Sequence, residues 1–327
     1  MRFLLASLVH DDSFADNVGV SLEAMGHEVV RPLRVRHTAY YSLPALAWRT
    51  AMERIQGARP SGDDLAILAA VRDTRPAVVL ALTHGIHGEV LAEVGRLGAR
   101  RVIWWGDAPS NNRRWGFLDP GWDLVLAKDS ALVSKLRLLG RNAHLLHEAM
   151  NPAWHKPVSG GRNDTVAVVG NSYAFRQAIC VRLLEHGVKL GVYGSRPPVW
   201  SDPTYRRIHT GRYVVREEKS RVFGEALGCL NTFQATEGDS LNCRAFEIAG
   251  AAGLQLVEHR PALEQCFDPG TEVLAFRTFE ELLQHVDRAR RSPQETDRIR
   301  QAGARRALAE HTYKHRLESL LQLLNTP

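Results

Sequence analysis

The sequence predicts an α/β protein built from two open parallel-sheet domains in tandem. Three observations carry this. Short apolar runs alternate with stretches of helical periodicity from the first residues onward. The runs are almost continuously apolar, as strands covered on both faces must be. The alternation pauses at a segment containing proline and glycine and then restarts. A length of 327 residues exceeds one ordinary core and agrees with two domains.

In the first domain, "RFLLASLV" reads as a strand. It resembles the apolar part of an export signal, but Asp11 and Asp12 end it and no small-residue cleavage site follows, so a buried first strand is the better reading. "SFADNVGVSLEAMGH" places Phe14, Val18, Leu22 and Met25 at helical spacing, and "EVVRPL" is a second strand. A helix over 65–73 stops at Pro76 and gives way to the strand "AVVLAL". The helix "EVLAEVGRLGA" and the strands "RVIWWG" and "WDLVLAK" follow. "HEAMNPAWHKPVSGGRND" reads as the linker, which divides the chain into domains 1–156 and 157–327.

The second domain begins with the strand "TVAVVG", the helix "YAFRQAICVRLLEHG" and the strand "VKLGVYG". "CLNTFQ", a helix after Asn242, "LQLVEH", "EVLAF" and a helix from Phe279 extend the series, and a charged helical stretch closes the chain. Ligands of such sheets bind at the carboxyl ends of the strands, so two facing sheets place a site in the cleft between them.

Composition narrows the function. Hydrophobic residues at 44% and charged residues at 24% are those of a soluble globular protein, and no run is apolar enough to span a bilayer. A cytoplasmic protein is expected. A net charge of +6 suits anionic ligands without indicating nucleic acid. Cys180, Cys229, Cys243 and Cys266 lack metal-ligand spacing and read as free thiols. No DxD triplet occurs, so a metal-bridged diphosphate site has no support and no metal is expected. "RPLRVRHTAYYSLPALAWR" and "NNRRWGF" mix basic and aromatic residues; an acceptor patch, contact with the inner face of a membrane, and ordinary snorkelling loops all explain them.

The candidate site residues lie at strand ends. Gly170, Asn171, Ser172 and Tyr173 form a strand-to-helix turn, the geometry that aims backbone N–H groups at a phosphate, with Arg176 one turn into the helix. Tyr193 and Gly194 end the next strand, where a base or ribose fits. In "GDSLNCRAFEIAGAAG", Asn242 is the expected N-cap, while Ala245, Ile248, Ala249 and Ala252 form the core stripe. Arg244 and Glu247 therefore point away from the core, the arginine suited to a diphosphate and the carboxylate to a ribose diol. In the first domain His10, Asp11, His84, His87 and Asp107 follow strands. A histidine there can act as acid or base near neutral pH, or simply cap a turn.

"VAVVGNSYAFRQAICVRLLEHGVKLGVYG", "NCRAFEIAGAAGLQLVEHRPALEQCFDPGTEVLAFRTFEELLQHV" and "AEHTYKHRLESLL" occur in this order. By them, the segment from Val166 to about Leu320 resembles the CgeB-type glycosyltransferases, a group within the GT-B class. "VIWWGDAPSNN" is the most family-like part of the first half. The resemblance implies two Rossmann-like domains facing across a cleft, with a nucleotide-diphosphate sugar held by the second as co-substrate, no separate cofactor, and an unidentified acceptor on the first. It also implies that the last helix returns to the first domain. Related retaining enzymes carry two acids with seven residues between them. Here these are Asp239, beside the transferred sugar where the relatives have glutamate, and Glu247 on the ribose, with Ser240, Leu241, Asn242 and Arg244 at the diphosphate. A hexosyltransferase-like enzyme is implied; a GT-B epimerase or hydrolase, and a non-catalytic sugar-binding member, are the alternatives.

Overall fold

The computed structural model describes residues 1–34, 59–112, 116–158 and 160–325, together with Pro44, Ala47, Trp48 and Ala51. Most of the first basic and aromatic segment, and Arg113, Arg114 and Trp115 of the second, lie outside the described residues.

Two parallel sheets are present. The first has the order β2-β1-β3-β4-β5-β6, with β1 Arg2–Leu5, β2 Glu28–Val30, β3 Val78–Leu82, β4 Arg100–Trp105, β5 Leu124–Ala127 and β6 Ala143–Leu145. Every residue of β3 and β5 is buried, which is why these strands are apolar without alternation. Helix α1 (Phe14–Ala24) is capped by Ser13, whose side chain accepts from the Asp16 N–H. Helix α2 (Gly62–Thr74) starts with a capping box between Ser61 and Asp64, and presents Ile67 and Val71 to the core. Helix α3 (Gly88–Arg96) adds Leu91 and Val94 to the same core.

The sequence reading missed helix α4 (Ser130–Leu138) and the edge strand β6. Asp129 caps α4 and Leu132, Val133 and Leu136 are buried, but Leu138 is exposed and blurs the apolar stripe. A three-residue edge strand is too short to show a period.

The second sheet has the order β11-β10-β9-β7-β8, with β7 Val166–Val169, β8 Leu190–Tyr193, β9 Gly228–Asn231, β10 Gln255–Glu258 and β11 Leu274–Phe276. Its helices are α5 (Ala174–Glu185), α6 (Pro203–Arg207), α7 (Arg216–Glu225), α8 (Cys243–Gly250), α9 (Leu263–Cys266), α10 (Phe279–Arg291) and α11 (Pro293–Glu310). The final α12 spans Tyr313–Asn325. Helix α7 was missed as well: "REEKSRVFGE" is charged almost throughout, and it buries Lys219 and Ser220 beside Phe223.

The chain divides into two compact units, one of residues 1–147 with 317–327 and one of 148–316. The division falls nine residues before the expected boundary at 157. The reason lies in the segment read as a linker. Ala149, Met150, Asn151 and His155 are buried, and Met150 pairs with the Thr312 region through its N–H to His311 and its carbonyl to Tyr313. A segment whose backbone groups are bonded inside one core belongs to that core.

His311 is held between Phe246 and Phe267, each with its ring centroid 5.2 Å away. Its Nε2 lies 2.7 Å from the Cys266 carbonyl and its Nδ1 3.0 Å from an Arg316 nitrogen. These partners define a neutral tautomer that donates through Nε2 and accepts at Nδ1. Burial draws the imidazole down to about 4, with Arg316 and Arg306 adding to it. The unfolded chain therefore binds a proton that the folded chain refuses between pH 6.5 and about 4. The contribution is complete above pH 6.5 and is lost as pH falls through that window. Unfolding in urea is expected to show about 2 kcal/mol less stability at pH 5 than at pH 7 from this group. The difference should shrink by that amount in His311→Gln; equal pH dependence in the two proteins would refute the assignment.

Candidate functional site

The second unit places the expected donor residues after the carboxyl ends of β7, β8 and β9. Gly170 and Gly194 end these strands with φ of +123° and +132°. The Gly170 N–H donates to the Tyr193 carbonyl at 2.9 Å, so the two turns are locked together. A Cβ on Gly194 would lie 2.7 Å from the Gly170 carbonyl oxygen, and one on Gly170 would overlap the Arg244 guanidinium. Glycine is required at both positions by backbone conformation and by space. Gly194→Ala is expected to cost about 2 kcal/mol in thermal or denaturant unfolding; an unchanged midpoint would show that the turns can relax.

The Arg244 guanidinium thus lies over Gly170, in the first turn of α8. Asn242 caps this helix by accepting from the Ala245 N–H at 3.2 Å. Arg244 is partly exposed and makes no hydrogen bond or ion pair with any described residue. Burial works to lower its pKa, but Cys243, Glu247 and the other neighbouring acidic groups hold it above its usual value. A lone cation, free N–H groups at a helix start, and two glycine turns make an anion-binding surface.

The other polar residues of the set are placed differently from expectation. Arg176 is buried and spent on structure: Nε donates to Thr232 Oγ1 at 2.9 Å, Nη2 to the Thr232 carbonyl at 2.6 Å and Nη1 to the Asn171 carbonyl at 2.7 Å. It ties the β7 turn to the end of β9 and acts on an anion only through its charge. Burial, helped by Arg244, draws it down to about 10, so it stays protonated at neutral pH. Asn242 exchanges reciprocal amide bonds with Asn231 at 3.0 and 3.1 Å, and Asn231 continues the network to Gln255. Its side chain faces inward. Leu241 belongs to the core with Phe233 and Phe246, and Ser240 is buried.

Glu247 does not face open solvent. It is buried, with Oε1 2.9 Å from the Lys219 ammonium and 3.8 Å from His155 Nε2. No described residue bonds Oε2. The helix is covered on more sides than its stripe implied, since Phe246 and Ala251 are buried along with Ala245, Ile248 and Ala249. Lys219 was missed, because no local pattern marks a lysine whose partner lies 28 positions away.

Around the turns, Asn171 is exposed, Ser172 Oγ accepts from Tyr205 at 3.1 Å, and Tyr173 starts α5 with Arg176 5.0 Å from its ring centroid. Tyr193 is partly buried beneath Arg212. Asp239 is partly exposed in the loop after β9. That loop is shaped by Arg260, which donates to the Glu237 and Gly238 carbonyls, and by the Glu258 carboxylate, which accepts from the Phe233 N–H.

In the first unit the candidates share one sheet edge. His10 and Asp11 follow β1, His84 and His87 follow β3, and Asp107 follows β4; these three strands are neighbours. Thr83, at φ +51°, accepts from the Gly106 N–H at 3.1 Å and joins the β3 and β4 ends. His87 is the N-cap of α3, its Nδ1 accepting from the Glu89 N–H. Asp107 Oδ1 accepts from the Ala108 N–H, and His10 contacts the Asp11 carbonyl. Burial pushes His84 below its usual range, against Asp63 and Asp64, which leaves a neutral imidazole at pH 7. Among the described residues no helix is long and apolar enough to cross a membrane.

Comparison with known structures shows the architecture. Sucrose-phosphate synthase from Thermosynechococcus elongatus aligns over 99% of this chain and 98% of its own, with TM-score 0.70 and 13% identity. Anabaena HepE, in complex with UDP and glucose, aligns over 99% of both chains with TM-score 0.65 and 12% identity. The fold is GT-B. T4 phage BGT in complex with its UDP-glucose substrate covers both chains fully at TM-score 0.61 and 10% identity. Residues 175–322 match the family model described as glycosyl transferase-like, which contains α8 and its arginine. No curated protein matches in sequence.

Proposed function

We propose that this protein transfers a sugar from a nucleoside-diphosphate sugar to an acceptor hydroxyl. The observation that carries this is Arg244, a cation with no bond to any described residue, set over the paired glycine turns at the carboxyl edge of the second sheet. Its guanidinium and the α8 amino terminus would take the diphosphate, and would stabilise the charge that develops as the diphosphate leaves. The unbonded Oε2 of Glu247 would accept from the ribose while Lys219 holds Oε1 and keeps the carboxylate oriented. Asp239 would sit beside the transferred sugar, with retention of configuration. His84 and Asp107, on adjoining strand ends of the first unit, are the acceptor-side candidates. The structures of HepE and T4 phage BGT in complex with UDP-glucose support a uridine donor. The sequence blocks quoted above support a CgeB-type member, hexosyl transfer among them.

Incubation with labelled UDP-glucose and other nucleotide sugars, with and without cell-extract acceptors, tests the reading. Acceptor-dependent transfer is expected. Donor breakdown or rearrangement without any acceptor would support an epimerase or hydrolase instead, and binding without turnover a non-catalytic member. Donor affinity is expected to be unchanged by a chelator, since the chain lacks a DxD triplet and supplies Arg244. Loss of binding on chelation, restored by Mn²⁺ or Mg²⁺, would overturn the metal-free site.

A further inference from the structure

A cavity of about 300 Å³ lies at the opposite edge of the second sheet from the candidate donor site. Asn163 and Asp164 lead into β7 there, Leu227 leads into β9, and Pro293 and Thr296 are in the first turn of α11. Its cations are Arg162, Arg290 and Arg300. Arg300 is 2% exposed. Its Nη2 donates to the Ala226 and Leu227 carbonyls at 2.9 and 2.7 Å, whereas Nε and Nη1 are buried with no hydrogen-bond partner. The nearest carboxylate oxygen, on Asp297, is 3.8 Å from Nε, too far for a hydrogen bond. The acidic groups nearby are already engaged: Asp297 pairs with Arg162, and Asp164 with Arg290 at 3.0 Å and Lys189 at 3.4 Å. The α11 amino terminus adds partial positive charge, and Ser292 gives it no side-chain cap.

We propose that this cavity binds a phosphate group, free or on a small monoester, as a site separate from the carboxyl-edge donor site. Buried polar groups in native proteins are almost always bonded, and an arginine with three unused N–H bonds in the wall of a cationic cavity is matched to an oxyanion. Burial already draws the Arg300 guanidinium down to about 10, and an anion would restore its balance. The five residues from Thr165 to Val169 connect this edge to Gly170, so an occupant here is positioned as an effector and not as a substrate.

The test uses the full chain carrying Arg244→Ala, which silences the donor-side cation. Thermal unfolding is followed against inorganic phosphate and, in parallel, glycerol 3-phosphate, at constant ionic strength. A saturable rise is expected with at least one, and the stronger of the two identifies the source. Adding Arg162→Gln and Arg290→Gln, both partly exposed, should weaken it by about tenfold or more, and Arg300→Gln, where it folds, should abolish it. No saturable rise, or a rise indifferent to Arg162 and Arg290, overturns the site. A tungstate-soaked crystal of the unmutated chain with the ion only near Arg244 would overturn it as well.

Discussion

Arg244→Ala is expected to weaken nucleoside-diphosphate binding by about ten- to a hundredfold while leaving the fold intact. The magnitude is the loss of about 1.5–3 kcal/mol from charge-assisted hydrogen bonds to the diphosphate. The fold survives because the guanidinium has no bond with any described residue, so its removal orphans nothing, and it relieves the repulsion on Arg176. Calorimetry with UDP and with uridine separates the effect from general damage. The variant should lose affinity for UDP and keep what it has for uridine. Equal losses for both ligands would move the diphosphate away from Arg244, and no loss would remove the donor-site assignment altogether.

The second large effect concerns Glu247, and here the structure changes the expectation. From the sequence, Glu247→Ala looks like a surface change on a helix that retains its apolar stripe. In the structure it removes the carboxylate 2.9 Å from an ammonium that is itself only 9% exposed. Removing one partner of a buried pair is expensive, because the remaining charge keeps its desolvation cost. The expected loss is about 3 kcal/mol in urea unfolding. Glu247→Gln keeps the shape and an acceptor for Lys219 and should cost less. Adding Lys219→Met to Glu247→Ala should recover part of the stability, and the double-mutant cycle measures the pair directly. A midpoint unchanged in Glu247→Ala would show that the pair contributes nothing. Donor affinity is to be read on Glu247→Gln, which separates the ribose role from the stability role.

The fold was legible in the sequence because its causes are local. Covered strands must be apolar throughout, as β3, β5 and β7 are, and "AVVLAL" and "TVAVVG" announce them. Gly170 and Gly194 were legible for the same reason: a strand that turns at once into a loop needs a left-handed residue at its end. The capped start of α8 at Asn242 was legible too. What remained hidden had short or charged sequences, such as β6 and α7, where no period can form.

The sequence alone thus determined the two parallel-sheet units, the sheet edge on which polar residues gather, and the segment from Asp239 to Glu247 as the place to look. Only the tertiary structure decided which of those residues are available. Arg176 is taken by Thr232, Asn242 by Asn231 and one oxygen of Glu247 by Lys219, while Arg244 is left unbonded over Gly170. Each partner comes from another element, 11 to 56 positions away in the first two pairs. Periodicity reports the face of a helix on which a side chain lies. What the side chain meets there depends on how the chain packs, and an arginine free to bind an anion and one locked to two carbonyls have the same local sequence signature.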